Sequence, residues 1–159
     1  MTVIELRQAR PEDLALIAQT YTRGAHRALF SHEQLDQDEW EDVALRFVSE
    51  CAKAGHILIA GDKASDIIAG YAMGYRSADG AVLHWVQTIG LYKGHGVART
   101  LVDALTRDLV DVVVTHTCSR RHRRAIQARG WKFSGRSPWL WLLTAERDRH
   151  AKARTGVRS

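Results

Sequence analysis

Cysteine is scarce. Only Cys51 and Cys118 occur in 159 residues, too far apart in sequence and context to suggest a disulfide framework or a zinc cluster, so both are read as free thiols. The eight histidines lack paired metal-ligand spacing such as HExxH, and Cys118 with His116 and His122 makes only a loose cluster, so no structural metal is expected. Apolar runs fall far short of the roughly 20 residues that cross a bilayer. The opening MTVIELRQARPEDL lacks the basic start, apolar stretch and small-residue cleavage site of a secretory signal, which makes a cytoplasmic location the expectation. Repeats, low-complexity tracts and internal linkers are absent too. What is present, 45% hydrophobic and 26% charged residues, is globular composition, and the length fits one domain. We expect that domain over residues 1–143, followed by a basic, polar tail over 144–159.

The net charge of +5 hides a division, because residues 1–118 carry 11 Lys/Arg against 16 Asp/Glu. Segment 119–136 then holds seven basic residues and no acid, and segment 144–159 holds five basic against two acidic. Asymmetry of this kind marks an anionic partner. Coenzyme A phosphates and nucleic acid are the two readings.

Val3 to Arg7 reads as a strand. Pro11-Glu12-Asp13 opens a helix over 11–29, with proline in the first turn, acids facing the helix dipole, and Leu14, Ile17, Tyr21, Ala25 and Ala28 at helical spacing. A second helix is expected over 33–54, striped by Trp40, Val43, Phe47 and Cys51 and ended by Gly55. The period then changes: 56–61 and 67–75 read as a hairpin around Asp62 to Asp66, and 82–89 as a further strand after the Asp79-Gly80 turn. A glycine-rich stretch leads into a helix over 96–110 carrying Val97, Leu101, Leu105 and Leu109. A valine-rich strand over 111–117, a short helix over 120–129 ended by Gly130, and closing strands at 131–133 and 139–143 complete the chain. The order β-α-α-β-β-β-α-β-α-β indicates an α/β fold with a mixed sheet and helices on both faces.

The segment that carries chemistry is Val86-Gln87-Thr88-Ile89-Gly90-Leu91-Tyr92-Lys93-Gly94-His95-Gly96-Val97-Ala98. Gly94 and Gly96 permit a tight turn whose successive N–H groups converge at a helix start, a nest suited to a pyrophosphate. A glycine pair before a helix is equally often a plain connection.

This stretch resembles the signature of the GNAT family, the acyl-CoA-dependent N-acyltransferases, in which Arg or Gln stands three residues before the first glycine of a G-x-G or G-x-A pair. Counted from Gly94, that place falls on Leu91. The likeness spans nearly the whole chain: Arg7 to Leu14 looks like the family's first strand and helix, and Gly130-Trp131 stands where Gly-Phe is common. It implies a mostly antiparallel central sheet with acetyl-CoA or another acyl-CoA as co-substrate and no metal. Residues 91–98, namely Leu91, Tyr92, Lys93, Gly94, His95, Gly96, Val97 and Ala98, would hold the diphosphate. The backbone of Val86, Gln87 and Thr88 would pair with the pantetheine arm like an added strand. An N–H near Val86 or Gln87 would polarise the thioester carbonyl. The implied activity is direct transfer of an acetyl or short acyl group to a primary amine in a ternary complex.

Amine attack needs a neutral amine, so a proton acceptor is sought. Alternation puts Val82, His84, Val86 and Thr88 on one strand face and Leu83, Trp85 and Gln87 on the other. No acid lies between Gly80 and Lys93, where relatives carry a glutamate, which leaves His84 as the candidate base; a histidine satisfied by a backbone carbonyl is the alternative. His116 ends the 111–117 strand and either faces the cleft or caps local backbone with Thr115, Thr117 and Ser119. The family's acid, a tyrosine four residues before the Gly-Phe pair, is replaced by Ile126, so the thiolate leaves unassisted or takes its proton from Tyr92 or water. Arg120, Arg121, His122, Arg123 and Arg124 form a basic run with three readings: the coenzyme A 3′-phosphate, a polynucleotide, or a solvated surface. Small phage GNAT-like proteins, the Mom-type DNA-modifying group among them, are loosely similar in their basic C-terminal halves. Trp131, Trp139 and Trp141 either pack the core or wall an acceptor site. Partners left open are a small-molecule or macromolecular amine, nucleic acid, and a second copy of the chain.

Overall fold

The structure, a computed structural model, describes residues 3–29, 37–115 and 120–134. Strand β1 (Ile4–Gln8) runs into a 3-10 turn at Pro11–Asp13 and helix α1 (Leu14–Leu29). Asp13 fixes this corner: its carboxylate accepts two hydrogen bonds from the Arg7 guanidinium, at 2.6 and 3.0 Å, and one from the Arg10 backbone N–H at 2.7 Å. Helix α2 (Gln37–Lys53) follows, with Asp38 and Glu39 in its first turn where the helix dipole favours acids. The expected start at residue 33 lies outside the described residues.

Strands β2 (Ile57–Asp62), β3 (Ile67–Arg76) and β4 (Ala81–Thr88) pair antiparallel in sequence with β1. Strand β5 (Val112–Val114) pairs parallel to β4, and β6 (Lys132–Phe133) parallel to β5, giving an open six-stranded sheet in the order β1 to β6. Helix α3 (Val97–Thr106) connects β4 to β5 and helix α4 (Arg120–Ala128) connects β5 to β6. The expected 96–110 helix is shorter: it ends at Thr106, because Arg107 leaves the helical region at ψ 132° and Asp108 follows with a left-handed φ of 63°. The 139–143 strand and the 144–159 tail fall outside the described residues.

Two cores flank the sheet. On one face Ile17, Tyr21 and Ala25 of α1 and Trp40, Phe47 and Cys51 of α2 bury against Ile57, Ile59, Tyr71, Met73 and Trp85. On the other, Val97, Leu101 and Leu105 of α3 and Ile126 of α4 cover Ala60, Ala72, Leu83 and Val114. Each large apolar side chain so buried contributes about 1.5–3 kcal/mol, which outweighs the weak helix propensity of the β-branched residues among them.

One strand departs from the expected pattern where function is expected. Met73 pairs with Trp85 but Gly74 pairs with Leu83, so His84 is an extra residue, a β-bulge. Its consequence is that two successive side chains turn to the same face. His84 lies edge-on to Phe47 of α2 at 5.4 Å between ring centroids, and Trp85 edge-on to Tyr21 of α1 at 5.5 Å. Leu83 and Val86 pack on the α3 side. The single face expected for Val82, His84, Val86 and Thr88 is therefore corrected: strict alternation assumes an unbroken ladder. Glycine at 74 is required here, because a side-chain carbon would run into the Val82 carbonyl.

Candidate active site

The bulge coincides with the place where β4 and β5 part. Leu83 O accepts the Thr115 N–H at 3.0 Å, and β5 pairs with β4 only over Ala81 to Leu83. The Ile89 N–H donates to Ala69 O on β3 at 2.8 Å. Backbone groups alternate in direction along a strand, so Val86 and Thr88 point their N–H and C=O groups to the opposite edge. That edge has no strand partner among the described residues.

Beyond β4 the chain makes a 3-10 turn over Gly90–Tyr92 and enters the glycine loop. Gly94 and Gly96 have φ of 83° and 78°, a left-handed conformation that side chains disfavour. Among the described residues, and apart from each glycine's chain neighbours, no atom lies within 4 Å of where a side-chain carbon would stand on either, so these residues leave the mouth of the loop open. Gly96 caps α3, and its carbonyl takes the first helical bond from the Thr100 N–H at 2.9 Å. The N–H groups at the start of α3 thus have no intrahelical acceptor and face outward with the positive end of the helix dipole. Gly70 lets this helix start sit close to the sheet, since a side-chain carbon there would come within 2.8 Å of Val97 Cγ1.

The structure also moves the reading frame of the motif. Counting the pair from Gly94 puts Leu91 in the Arg/Gln place. Gly96 is the residue at the helix mouth, and Gly96-Val97-Ala98 is itself a G-x-A pair. Three residues before it stands Lys93, an exposed cation. Leu91 is 89% exposed.

A cleft of about 310 Å³ lies beside the open edge, lined by β4 from Leu83 to Val86, by Ala98, Arg99 and Val102 of α3, and by His122, Ala125, Ile126 and Arg129 on and just after α4. Its walls are largely aliphatic with cationic groups from both helices. His84 borders this cleft along β4, but its ring turns to the α1/α2 face and the residue is only 5% exposed. Its Nδ1 lies 2.9 Å from Thr115 Oγ1, and burial, with a lesser contribution from the nearby His56, pushes its pKa down to about 4. The ring is neutral near pH 7. His56 stacks on Tyr75 at 4.5 Å, and burial lowers its pKa as well.

Of the residues expected from sequence, His84, Val86 and Ala98 border the cleft, and the glycine loop stands just before Ala98 at the start of α3. Tyr92 turns away: its ring packs on the α3-side core and its hydroxyl donates to Asp62 Oδ2 at 3.3 Å, anchoring the loop to β2. His116, Cys118, Trp139 and Trp141 lie outside the described residues, as do the side chains of Arg120 and Arg121. Arg123 stacks over the Phe133 ring at 5.5 Å, and Arg129 over the partly buried Trp131 at 4.8 Å. Cys51 is buried, with its thiol pushed up to about 12, which leaves it unreactive at neutral pH. Sequence reasoning missed Thr115 as the partner of His84, and Arg99 and Arg129 as cleft residues; it placed His122 only in the basic run. The spacing of His122, Ile126 and Arg129, at i, i+4 and i+7, was the available signal for the α4 side of the cleft.

No family model and no curated protein matches the sequence. Solved structures do. A GNAT-family acetyltransferase from Listeria monocytogenes is 14% identical with a TM-score of 0.56, covering 84% of this chain and 89% of its own. The aminoglycoside N-acetyltransferase AAC(6')-Iy in complex with CoA is 16% identical with a TM-score of 0.53, covering 86% and 93%. A predicted acetyltransferase with acetyl-CoA from Clostridium acetobutylicum is 13% identical with a TM-score of 0.55, covering 85% and 94%. At such identities the likeness speaks for architecture, and the chain has the fold of the GNAT acetyltransferases.

Proposed function

We propose that the protein is an acyl-CoA-dependent N-acyltransferase that moves an acetyl or short acyl group to a primary amine. Three features among the described residues support this reading: a glycine cradle left open at the α3 N-terminus, a β4 edge with no strand partner at Val86 and Thr88, and a cleft bordered by Val86 and Ala98. The diphosphate is held by the amides from Gly94 to Ala98, with Lys93 adding charge, and the pantetheine arm pairs with β4. The fold likeness to structures with CoA and acetyl-CoA supports the same cofactor.

When bound, the thioester supplies an activated acyl carbon, and the chain's residues orient the attack on it. The Val86 N–H, on the free edge, donates to the carbonyl oxygen as negative charge grows there. His84 is a weak proton store, because burial keeps it neutral; it serves as a hydrogen-bond partner that orients the amine at the bulge. Calorimetry with acetyl-CoA tests the reading: saturable binding, abolished by Gly96→Trp, is expected, and no heat at high micromolar cofactor overturns it.

A second reading rests on one observation, that no acidic residue lies between Asp111 and Glu146, so the segment holding α4 carries basic residues without acids to offset them. A nucleic acid held through Arg120, Arg121, Arg123 and Arg124, as acceptor or ligand, would bind with strong salt dependence and lose affinity when these become alanine. Binding that is absent or indifferent to salt removes it.

A further inference from the structure

We propose that the cleft takes an acyl-CoA whose acyl chain ends in a carboxylate, and that Arg129 recognises that end; the assignment rests on the acyl-CoA reading above. A cation stands at the far end of a cleft that continues past the place of the thioester.

Strands β4, β5 and β6 are parallel neighbours, so α3 and α4, which connect them, both run back against the strands. Each helix therefore starts at the end of the sheet where the glycine loop lies. Arg99 and His122 stand near those starts. Arg129 follows the last residue of α4, seven residues beyond His122 and about 10 Å further along at the helical rise of about 1.5 Å per residue. The diphosphate cradle and Arg129 thus occupy opposite ends of the cleft.

The β4 wall shows the same surplus of length. With the thioester carbonyl at the Val86 N–H, the lining continues to Leu83, up to about 10 Å further at about 3.3 Å per residue. An acetyl group ends short of this. The walls there, Leu83, Val114 and Ile126, are aliphatic, and Trp131 and Arg129 stand at the end.

Arg129 is held in place for an anion. Gly130 takes a left-handed φ of 70°, and the Trp131 N–H turns back to donate to Ile126 O at 3.2 Å, which sets the indole against the guanidinium. The guanidinium carbon stands 4.8 Å from the ring centroid. Stacking engages the flat face of the guanidinium and leaves its N–H edge, which fits a carboxylate through two parallel hydrogen bonds. Among the described residues no carboxylate pairs with Arg129, whereas Arg99, the other arginine of the cleft, lies 3.7 Å from Asp103. A carboxylate entering aliphatic surroundings needs such a partner, and an uncharged acyl chain gains nothing from it.

The transfer itself is unchanged. The amine nitrogen bonds to the thioester carbon, the C–S pair leaves on sulfur, the proton shed by the amine restores the thiol, and the distal carboxylate passes into the amide product intact.

The test compares freshly prepared succinyl-CoA with butyryl-CoA, which matches its acyl length but lacks the second carboxylate, by calorimetry on the wild type, Arg129→Gln and Arg129→Lys. The wild type is expected to bind succinyl-CoA about 10-fold more tightly than butyryl-CoA. Arg129→Gln is expected to bind the two equally, and Arg129→Lys, which keeps the charge but not the planar fork, to retain part of the preference. A merely structural Arg129 would shift both ligands alike and leave their ratio unmoved. Equal affinity in the wild type, or a preference that survives in Arg129→Gln, overturns the assignment. If the wild type binds neither of these nor coenzyme A itself, the acyl-CoA reading falls, an outcome distinct from both.

Discussion

Lowering the pH from about 7 to about 5 will cost the folded state about 2 kcal/mol through His84 alone. The sign follows from the direction of its pKa. An unfolded histidine takes up a proton as pH falls through its ordinary value of 6.5, whereas the folded ring, buried at the bulge, resists until about 4. Between those values the unfolded state binds more protons, so stability is fully present above about pH 6.5 and drains away toward pH 4. Each pH unit in that window is worth about 1.4 kcal/mol, which sets a ceiling of about 3 kcal/mol. His56, whose pKa burial also lowers, adds to the loss in the same direction. The contribution of His84 is isolated by His84→Asn, which keeps a nitrogen or oxygen near the Nδ1 position to bond Thr115 but does not titrate. Urea unfolding at both pH values in both proteins gives the difference. The wild type is expected to lose about 2 kcal/mol more than the variant over this interval. Equal losses would mean that His84 is solvated or charged in the folded protein, and the neutral, orienting role given to it would fall.

Asp13→Asn, which leaves the Arg7 guanidinium facing a neutral amide, will destabilise the protein by about 2 kcal/mol near pH 7 in chemical denaturation. Pairing with Arg7 lowers the Asp13 pKa, so that difference holds above about pH 4 and shrinks as pH falls further; a difference independent of acid would contradict the pairing. Gly74→Ala drives a methyl into the Val82 carbonyl at the bulge and will cost about 2 kcal/mol or more in the same assay. A neutral effect there would argue against the bulge.

The element order was legible because each apolar stripe keeps its period: Ile17, Tyr21 and Ala25 every four residues, and Val112 to Val114 as a continuous run between helices. The glycine loop was legible because left-handed φ at Gly94 and Gly96 is a demand that sequence displays. The bulge at His84 was not, since an inserted residue shifts side chains without changing composition. Gly74 within a strand-like run was its one trace, as a lone glycine there often marks such an irregularity. The frame of the cofactor motif slipped by two residues because Gly94 and Gly96 look alike in sequence, and only the helix start at Val97 separates them. Tyr92 and Asp62 are 30 residues apart, and their contact depends on how the loop folds back over β2, a tertiary outcome that no local spacing encodes.

The most direct measurement is an amide-resolved NMR titration of the full chain with coenzyme A. The account predicts that the largest shifts fall on the N–H groups of Gly94, Gly96, Val97 and Ala98, with Val86 and Thr88 next as the free edge of β4 gains a partner. Shifts confined to the basic residues of α4, with the glycine loop unmoved, would contradict it.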